Sequence, residues 1–577
     1  MNRPLLVVLA SLVPAVLAAQ AAEPPAPAIV PLPPATLPLK HVAEPTSADI
    51  SAKDLMSRLY VFADDSMMGR EAGTPGNVKG TDYIAGEVKR FGLSPAGDDG
   101  TFFQTVPLKT RTVDSSSTIT AGGASLAFGT EWAVRATAPL QQNDLPVVFG
   151  GVLGDSASLI SGDQASGKLV VYLTPEGPAG MRSLRNATRL AQSAAMVAVV
   201  TPDEILGFFR RPSTFVDDPS NVRPGGGRPT VLLTRAGAAK LFDGPLDQLT
   251  AGTAGKPASV DFKVNVEPVA SAARNVVAIL PGSDKKLKGE YVAVGAHNDH
   301  IGVQRQAVDH DSLRFYNHVV RPGGAEDNGK QATPEQQQEA DAQLAAWREA
   351  HPNSSRADSI SNGADDDGSG SVSVLEIAEK MASLKGKNAP KRSILFVWHV
   401  GEEKGLLGSA YFTDHPTVPR DSIVAQLNMD MVGRGDAWDV TGQAKEGGAL
   451  HGNENYLQLV GSRRLSTELG DLIEKVNTQD HHGFVFDYSM DANGHPQNIY
   501  CRSDHYEYAR YGIPITFFTT GGHSDYHQVT DEPEYIDYPH MARVDNLVED
   551  IALHVANLDH RVVVDQAKPD PHGACRQ

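Results

Sequence analysis

Residues 392–412 read RSILFVWHVGEEKGLLGSAYF, an apolar run that ends in two adjacent carboxylates, Glu402 and Glu403, flanked by Gly401 and Gly405. Neighbouring side chains on a strand point to opposite faces, so adjacent acids cannot share one solvated surface unless the strand has ended there. The pair therefore marks a strand's C-terminal rim, where open α/β sheets bind ligands.

The same rhythm runs through the second half of the chain. ARNVVAILPG, KGEYVAVGAHND, SIVAQLNMDMVG and IPITFFTTGG are further apolar runs of strand length, and SVSVLEIAEKMAS, LGDLIEKVNT and MARVDNLVEDIALHVANL are amphipathic helical segments among them. This alternation predicts an α/β domain over 269–562, with a mostly parallel central sheet covered by helices on both faces. Residues 48–110 carry helical spacing around the turn GREAGTPG and read as the N-terminal part of that domain. Residues 303–360 interrupt the pattern as a long polar insertion, with one helix expected in TPEQQQEADAQLAAWREAH. A loop of that length inside a domain is functional or mobile. It either borders the pocket or elaborates a surface away from it.

Residues 111–268 differ again, with short strands such as LPVVFGGVL, GKLVVYLT and AAMVAVVT among Gly-rich turns. The block resembles a protease-associated domain, a small α/β insert, which serves either as a lid and substrate-selecting surface or as a spacer.

At the N-terminus, Arg3, the apolar stretch Leu5 to Ala18 and the sequence Ala19-Gln20-Ala21 have the form of a secretory signal peptide over 1–21. A Pro-rich lead-in follows over 22–47, and 563–577 reads as a tail. No later apolar run approaches the length of a membrane span, so export to the periplasm or medium without stable membrane insertion is expected. The formal net charge of −19 argues against a nucleic-acid partner. Cys501 and Cys575 are the two cysteines and lack C-x-x-C spacing; they exclude a disulfide framework, although export would permit one bridge.

Four of the strands end in candidate metal ligands. His297 and Asp299 follow YVAV, Glu402 and Glu403 follow LFVW, Asp430 follows LNM, and His523 and His527 follow FFTT. Asp365, Asp366 and Asp367 open a helix in NGADDDGSGS, where carboxylates gain from the N-terminal dipole. Several uncompensated carboxylates on one rim would repel each other strongly, and one or two cations resolve the conflict. Two divalent ions about 3.5–4 Å apart require a bridging carboxylate and further imidazole and carboxylate ligands, a donor mix that suits zinc. No G-x-S-x-G elbow stands at a strand-to-helix turn, which disfavours a serine hydrolase.

Taken in order, GAHND, NGADDDGSG, GEEKGLLGS, LNMDMVG, RSDHYEYARYGIP and DYHQVTDEPE resemble the secreted di-zinc aminopeptidases of metallopeptidase family M28. The resemblance implies two Zn²⁺ per chain, with His297 on one ion, His527 on the other, Asp366 bridging, and Glu403 and Asp430 completing one site each. It implies Asp299 as acceptor of the His297 N–H, Glu402 as general base and later acid, and the Tyr526 hydroxyl as a stabiliser of the oxyanion. Asp504 and His505 are pocket residues without an assigned step, His523 reads as a satisfied histidine beside the ligands, and His399 reads as a core histidine. The implied substrates are peptides with a free N-terminus. A carboxypeptidase or dipeptidase on the same scaffold would need an arginine clamp, for which Arg321 and Arg434 are candidates. A receptor-like binding module would have lost ligands that this sequence retains.

Overall fold

Alternate side chains of the central strands enter two different cores. From Tyr291–His297, Val292, Val294 and Ala296 pack on one face, and Ala293 packs on the other. From Ser393–His399, Ile394, Phe396 and Trp398 face the first core, while Leu395 and Val397 face the second. Both faces are buried, and for this reason the strands read as unbroken apolar runs. The first core is closed by the helices Ala52–Phe62, Pro75–Arg90, Gly370–Ser383 and Tyr538–Asn557. The second is closed by Leu407–Asp414 and His505–Ala509.

This computed structural model describes residues 37–577 apart from 155–158, 176–192, 202–205, 208–209, 221–228, 328, 353–355 and 435–454. The expected signal peptide and most of the Pro-rich lead-in lie outside the described residues. Among the described residues no helix is long and apolar enough to cross a membrane.

The main sheet has a parallel centre and antiparallel edges. Ser393–His399, Tyr291–His297, Ile423–Met429 and Ile515–Thr519 lie side by side in parallel. Ala273–Leu280 joins antiparallel on one flank, and Tyr456–Val460 joins antiparallel on the other. His297 pairs in register with His399, and Met429 with Phe518, so the segments carrying His297, Glu402, Glu403, Asp430 and His527 all leave the sheet at one rim.

Residues 108–268 contain a separate core built around Trp132, Phe149, Val171, Ala198, Val231 and Phe262. A five-stranded sheet there runs Trp132–Arg135, Thr230–Leu233, Met196–Val200, Leu169–Leu173 and Val147–Val152. The chain enters and leaves through an antiparallel pair, Leu108–Val113 with Val264–Pro268. His415 Nε2 lies 2.6 Å from Asp218 Oδ2 and ties this region to the neighbouring helix end.

The insertion has structure of its own. Gly302–Asp309 and Ala357–Ser361 form a two-stranded ribbon, and between them lie the helices His310–Val320 and Pro334–Ala350. The second is the helix expected from the sequence. Thr333 caps it through a reciprocal bond pair with Gln336, and Pro334 occupies its first turn.

Candidate metal centre

The acid triplet separates its three carboxylates by function. Asp365 accepts from the Gly433 N–H at 2.7 Å and lies 3.1 Å from His523 Nε2. Asp367 accepts from the N–H groups of His297 (3.0 Å) and Gly370 (2.8 Å). With Asp365 committed to Gly433 and His523 and Asp367 to backbone N–H groups, Asp366 is the member of the triplet that faces both His297 and His527. Asp531 holds the turn from outside, accepting from the Asp365 and Asp366 N–H groups at 3.0 and 3.1 Å. Buried Arg70, from GREAGTPG, holds it from below by donating to the carbonyls of Asn362 (2.6 Å) and Gly363 (2.8 Å). Gly363 has φ +57, and a Cβ there would stand 2.3 Å from the Asp366 carbonyl oxygen. Only glycine fits that turn.

Two groups of side chains converge on Asp366. In one, ligand atoms of His297, Asp366 and Asp430 lie within 4.8 Å of one another; in the other, those of His300, Asp366, Glu403 and His527 do. His297 Nε2 is 3.2 Å from Asp366 Oδ1 and 3.7 Å from Asp430 Oδ1. His527 Nε2 is 3.0 Å from Asp366 Oδ2 and 2.9 Å from Glu403 Oε2. Thus all five residues expected as ligands meet at the rim, and Asp366 is common to both groups. The buried Nε2 atom of His297, which faces Asp366 and Asp430, has no hydrogen-bond partner. A buried orphan nitrogen among carboxylates fits a cation, and the mixed imidazole and carboxylate donor set fits zinc.

Electrostatics follow from burial and from these neighbours. Burial would raise Asp366, but contacts with His297 and His527 hold it well below the usual carboxylate range. Burial together with the carboxylates of Asp430, Glu403 and Asp504 raises Glu402 well above that range, against the opposing effect of His297. Adjacent in sequence, the two glutamates differ in surroundings: Glu403 lies between His300 and His527, whereas Glu402 stands on the next stretch of rim. Burial also pushes Asp504 up to about 8.

Asp299 requires a correction. Its carboxylate lies 3.8 Å from His297 Nδ1, beyond hydrogen-bond reach, and Nδ1 is instead 3.0 Å from the Asp299 backbone carbonyl. The carboxylate accepts from the N–H groups of Gly401 (2.7 Å) and Glu402 (3.2 Å). Two backbone donors outcompete one ring nitrogen because the turn after the neighbouring strand presents them side by side. The side chain of Asp299 therefore pins the turn that carries Glu402.

Tyr526 stacks on His527 with ring centroids 4.0 Å apart, and its hydroxyl accepts from Arg502 at 3.3 Å. His523 is satisfied between Asp365 and the Asp525 N–H. His399 is buried and 3.1 Å from the Tyr508 hydroxyl, and His505 is 2.8 Å from the Tyr500 carbonyl oxygen and stacked on Phe517. Neither proposed clamp faces the site: Arg434 is buried against Asp525 at 2.7 Å, and Arg321 binds the Lys330 carbonyl.

Three neighbours escaped the reading of the sequence. His300, one residue past Asp299, is 2.8 Å from Glu403 Oε1; a second histidine at a strand end was a signal for it. Ser503 donates to Asp430 Oδ2, and Arg502 reaches Tyr526; nothing in the local spacing marked either. Cys501, just before them, is bonded to Cys575. A third group, His310, Asp358 and Glu532, lies in the insertion and beside it, where Arg356, 2.7 Å from His310 Nε2, already supplies positive charge.

An α/β sheet whose rim gathers two ligand groups around one shared carboxylate defines a candidate two-metal centre. Residues 347–552 match the family model described as peptidase family M28. The chain is 38% identical over 98 residues to leupeptin-inactivating enzyme 1 of Streptomyces exfoliatus, covering 16% of this chain and 22% of that protein. It is 31% identical over 187 residues to leucine aminopeptidase 1 of Paracoccidioides brasiliensis, covering 31% of this chain and 43% of that protein. The chain thus spans less than half the length of these curated relatives. Among solved structures it is similar to the aminopeptidase from Aneurinibacillus sp. strain AM-1, at 18% identity and a TM-score of 0.49, covering 90% of this chain and 97% of that one. It is also similar to a zinc aminopeptidase from Bacillus subtilis, at 16% identity and a TM-score of 0.46, covering 90% and 99%.

Proposed function

We propose that the protein is an exported metallo-aminopeptidase that hydrolyses the N-terminal bond of peptides at a centre holding two Zn²⁺. The observation that carries this reading is the sharing of Asp366 between the two ligand groups, with Glu402 beside them. His297 and Asp430 would hold one ion, His527 and Glu403 the other, and Asp366 both. When bound, the ions would supply Lewis acidity and lower the pKa of a water.

The remaining chemistry belongs to the chain. Glu402, kept in place by the Asp299 carboxylate under its backbone, takes a proton from the attacking water and returns it to the leaving amine. The Tyr526 hydroxyl donates to the developing oxyanion, and Arg502 adds positive charge behind it. Ser503 leaves Asp430 Oδ1 directed towards His297 by occupying Oδ2. Residues 111–268 form the protease-associated insert in this reading. The Cys501–Cys575 bridge supports export, since such bonds persist in oxidising compartments.

Hydrolysis of leucine p-nitroanilide, measured with zinc, after chelation, and against the N-acetylated substrate, tests the proposal. Zinc-dependent cleavage confined to the free amine supports it. A zinc-loaded protein that leaves the anilide intact but cleaves dipeptides would move the assignment to a dipeptidase.

A further inference from the structure

The insertion reaches the catalytic rim. Its short turn Gly324–Asp327 rests on the loop that carries Tyr526 and His527: the Ala325 N–H donates to the Tyr526 carbonyl at 3.1 Å. Gly324 has φ +55, and a Cβ there would stand 2.6 Å from the Tyr526 carbonyl oxygen and 2.8 Å from that of His523. The backbone can seat so closely only because this position is glycine. A second anchor lies deeper, where Arg314 of the insertion helix is 3.5 Å from Asp525 and covers the Tyr535 ring at 3.6 Å.

This docking delivers one carboxylate to the rim. Glu326 Oε1 is 2.6 Å from Arg502 Nη2, and the same Nη2 is 3.3 Å from the Tyr526 hydroxyl. Both partners remain partly open to solvent, with side-chain exposures of 41% for Glu326 and 31% for Arg502. A guanidinium beside the hydroxyl assigned to the oxyanion is the natural partner for any anion that a substrate brings just past its scissile bond. In this chain that guanidinium is already paired, by a residue of the insertion rather than of the strand ends.

We propose that Glu326 is a specificity-determining residue: it competes with substrate carboxylates for Arg502, and so turns the enzyme away from dipeptides and towards longer peptides. The inference rests on the function proposed above. A dipeptide carries its terminal carboxylate on the residue next to the cleaved bond, within reach of Arg502 only if Glu326 yields. A longer peptide, or an amidated dipeptide, places a neutral amide there and leaves the Glu326–Arg502 pair intact. The partial exposure of the pair suits this role, because it leaves Arg502 within reach of a substrate carboxylate, which must then displace Glu326 to bind.

The test compares leucylglycine with leucylglycinamide in the zinc-loaded full chain and in Glu326→Gln. The variant should raise the dipeptide-to-amide ratio of kcat/KM by about three- to thirtyfold, chiefly through KM for the dipeptide. Glu326→Asp, which keeps the charge, should stay within about twofold of the wild-type ratio. An unchanged ratio in Glu326→Gln, or an equal fall for both substrates, would overturn the proposal. Calorimetric Kd values for the same two ligands, taken in a Glu402→Gln background with and without Glu326→Gln, provide a readout that does not need turnover. A wild type that cleaves neither substrate would count against the aminopeptidase assignment, and the Kd ratio alone would then decide the role of Glu326.

Discussion

Ser503 Oγ stands 2.6 Å from Asp430 Oδ2 and is itself 3.0 Å from Asn428 Nδ2, which places a hydroxyl between a strand interior and a rim carboxylate. Gln426 extends the chain, donating to Asn428 Oδ1 at 3.0 Å. All four side chains are buried. The relay fixes which oxygen of Asp430 faces His297. Ser503→Ala should therefore lower the affinity for one ion of the pair by about tenfold or more, with little loss of fold. Zinc content measured across a chelator titration checks this, and unaltered retention of both ions would refute it.

Glu402 stands beside the ligands but belongs to neither ligand group. Glu402→Gln should reduce kcat by roughly 10²–10⁴-fold while leaving bound zinc and KM close to wild type. Asp299→Ala should give a smaller fall in kcat, because it loosens the Gly401–Glu402 turn without removing the base. Metal analysis beside steady-state kinetics separates these outcomes from loss of the ions.

The Cys501–Cys575 bond closes a stretch of 74 residues and fastens the C-terminal tail to the segment that carries Arg502 and Ser503. Gln577 continues the attachment, accepting from the Tyr500 N–H at 3.0 Å. In the chain-entropy account a loop of this size contributes about 4 kcal/mol. Reduction, or Cys575→Ser, should lower the unfolding midpoint and weaken activity. A midpoint unmoved by reductant under conditions that free both thiols would exclude this role.

His399 and His505 should make the fold acid-sensitive. Burial lowers each to about 3, whereas a histidine in the unfolded chain takes up its proton near pH 6.5. The unfolded state therefore binds more protons between those values. Stability is complete above about pH 6.5 and is lost as pH falls below it, by ~2 kcal/mol from each histidine between pH 7 and pH 5. Urea denaturation at both pH values should show a smaller difference for His399→Gln than for wild type.

Much of the ligand set was legible in the sequence because the signals are local. An apolar run of strand length followed by His, Glu or Asp places that residue at a rim, and alternate burial of Val292, Ala293 and Val294 is the period of a strand covered on both faces. His297, Asp299, Glu402, Glu403, Asp430, His523 and His527 could be collected in this way, with Asp365, Asp366 and Asp367 at a helix start, and the resemblance to the M28 aminopeptidases then chose His297, Asp366, Glu403, Asp430 and His527 among them. The helix at Pro334–Ala350 was likewise written in its cap and its composition.

The partners of those residues were decided by tertiary structure. Asp299 lies two positions from His297 yet spends its carboxylate on amides about a hundred residues away, since parallel pairing of Tyr291–His297 with Ser393–His399 brings the Gly401 turn alongside it. Ser503, Arg502 and Glu326 have no spacing that links them to Asp430 or Tyr526; packing of the Cys501 segment and docking of Gly324 on the Tyr526 loop create those contacts. The sequence by itself determined which side chains reach the rim, because strand length and periodicity are properties of consecutive residues. Which of them hold the turn, aim a ligand or guard the entrance was settled only when distant segments met, because a hydrogen bond depends on distance and angle in space.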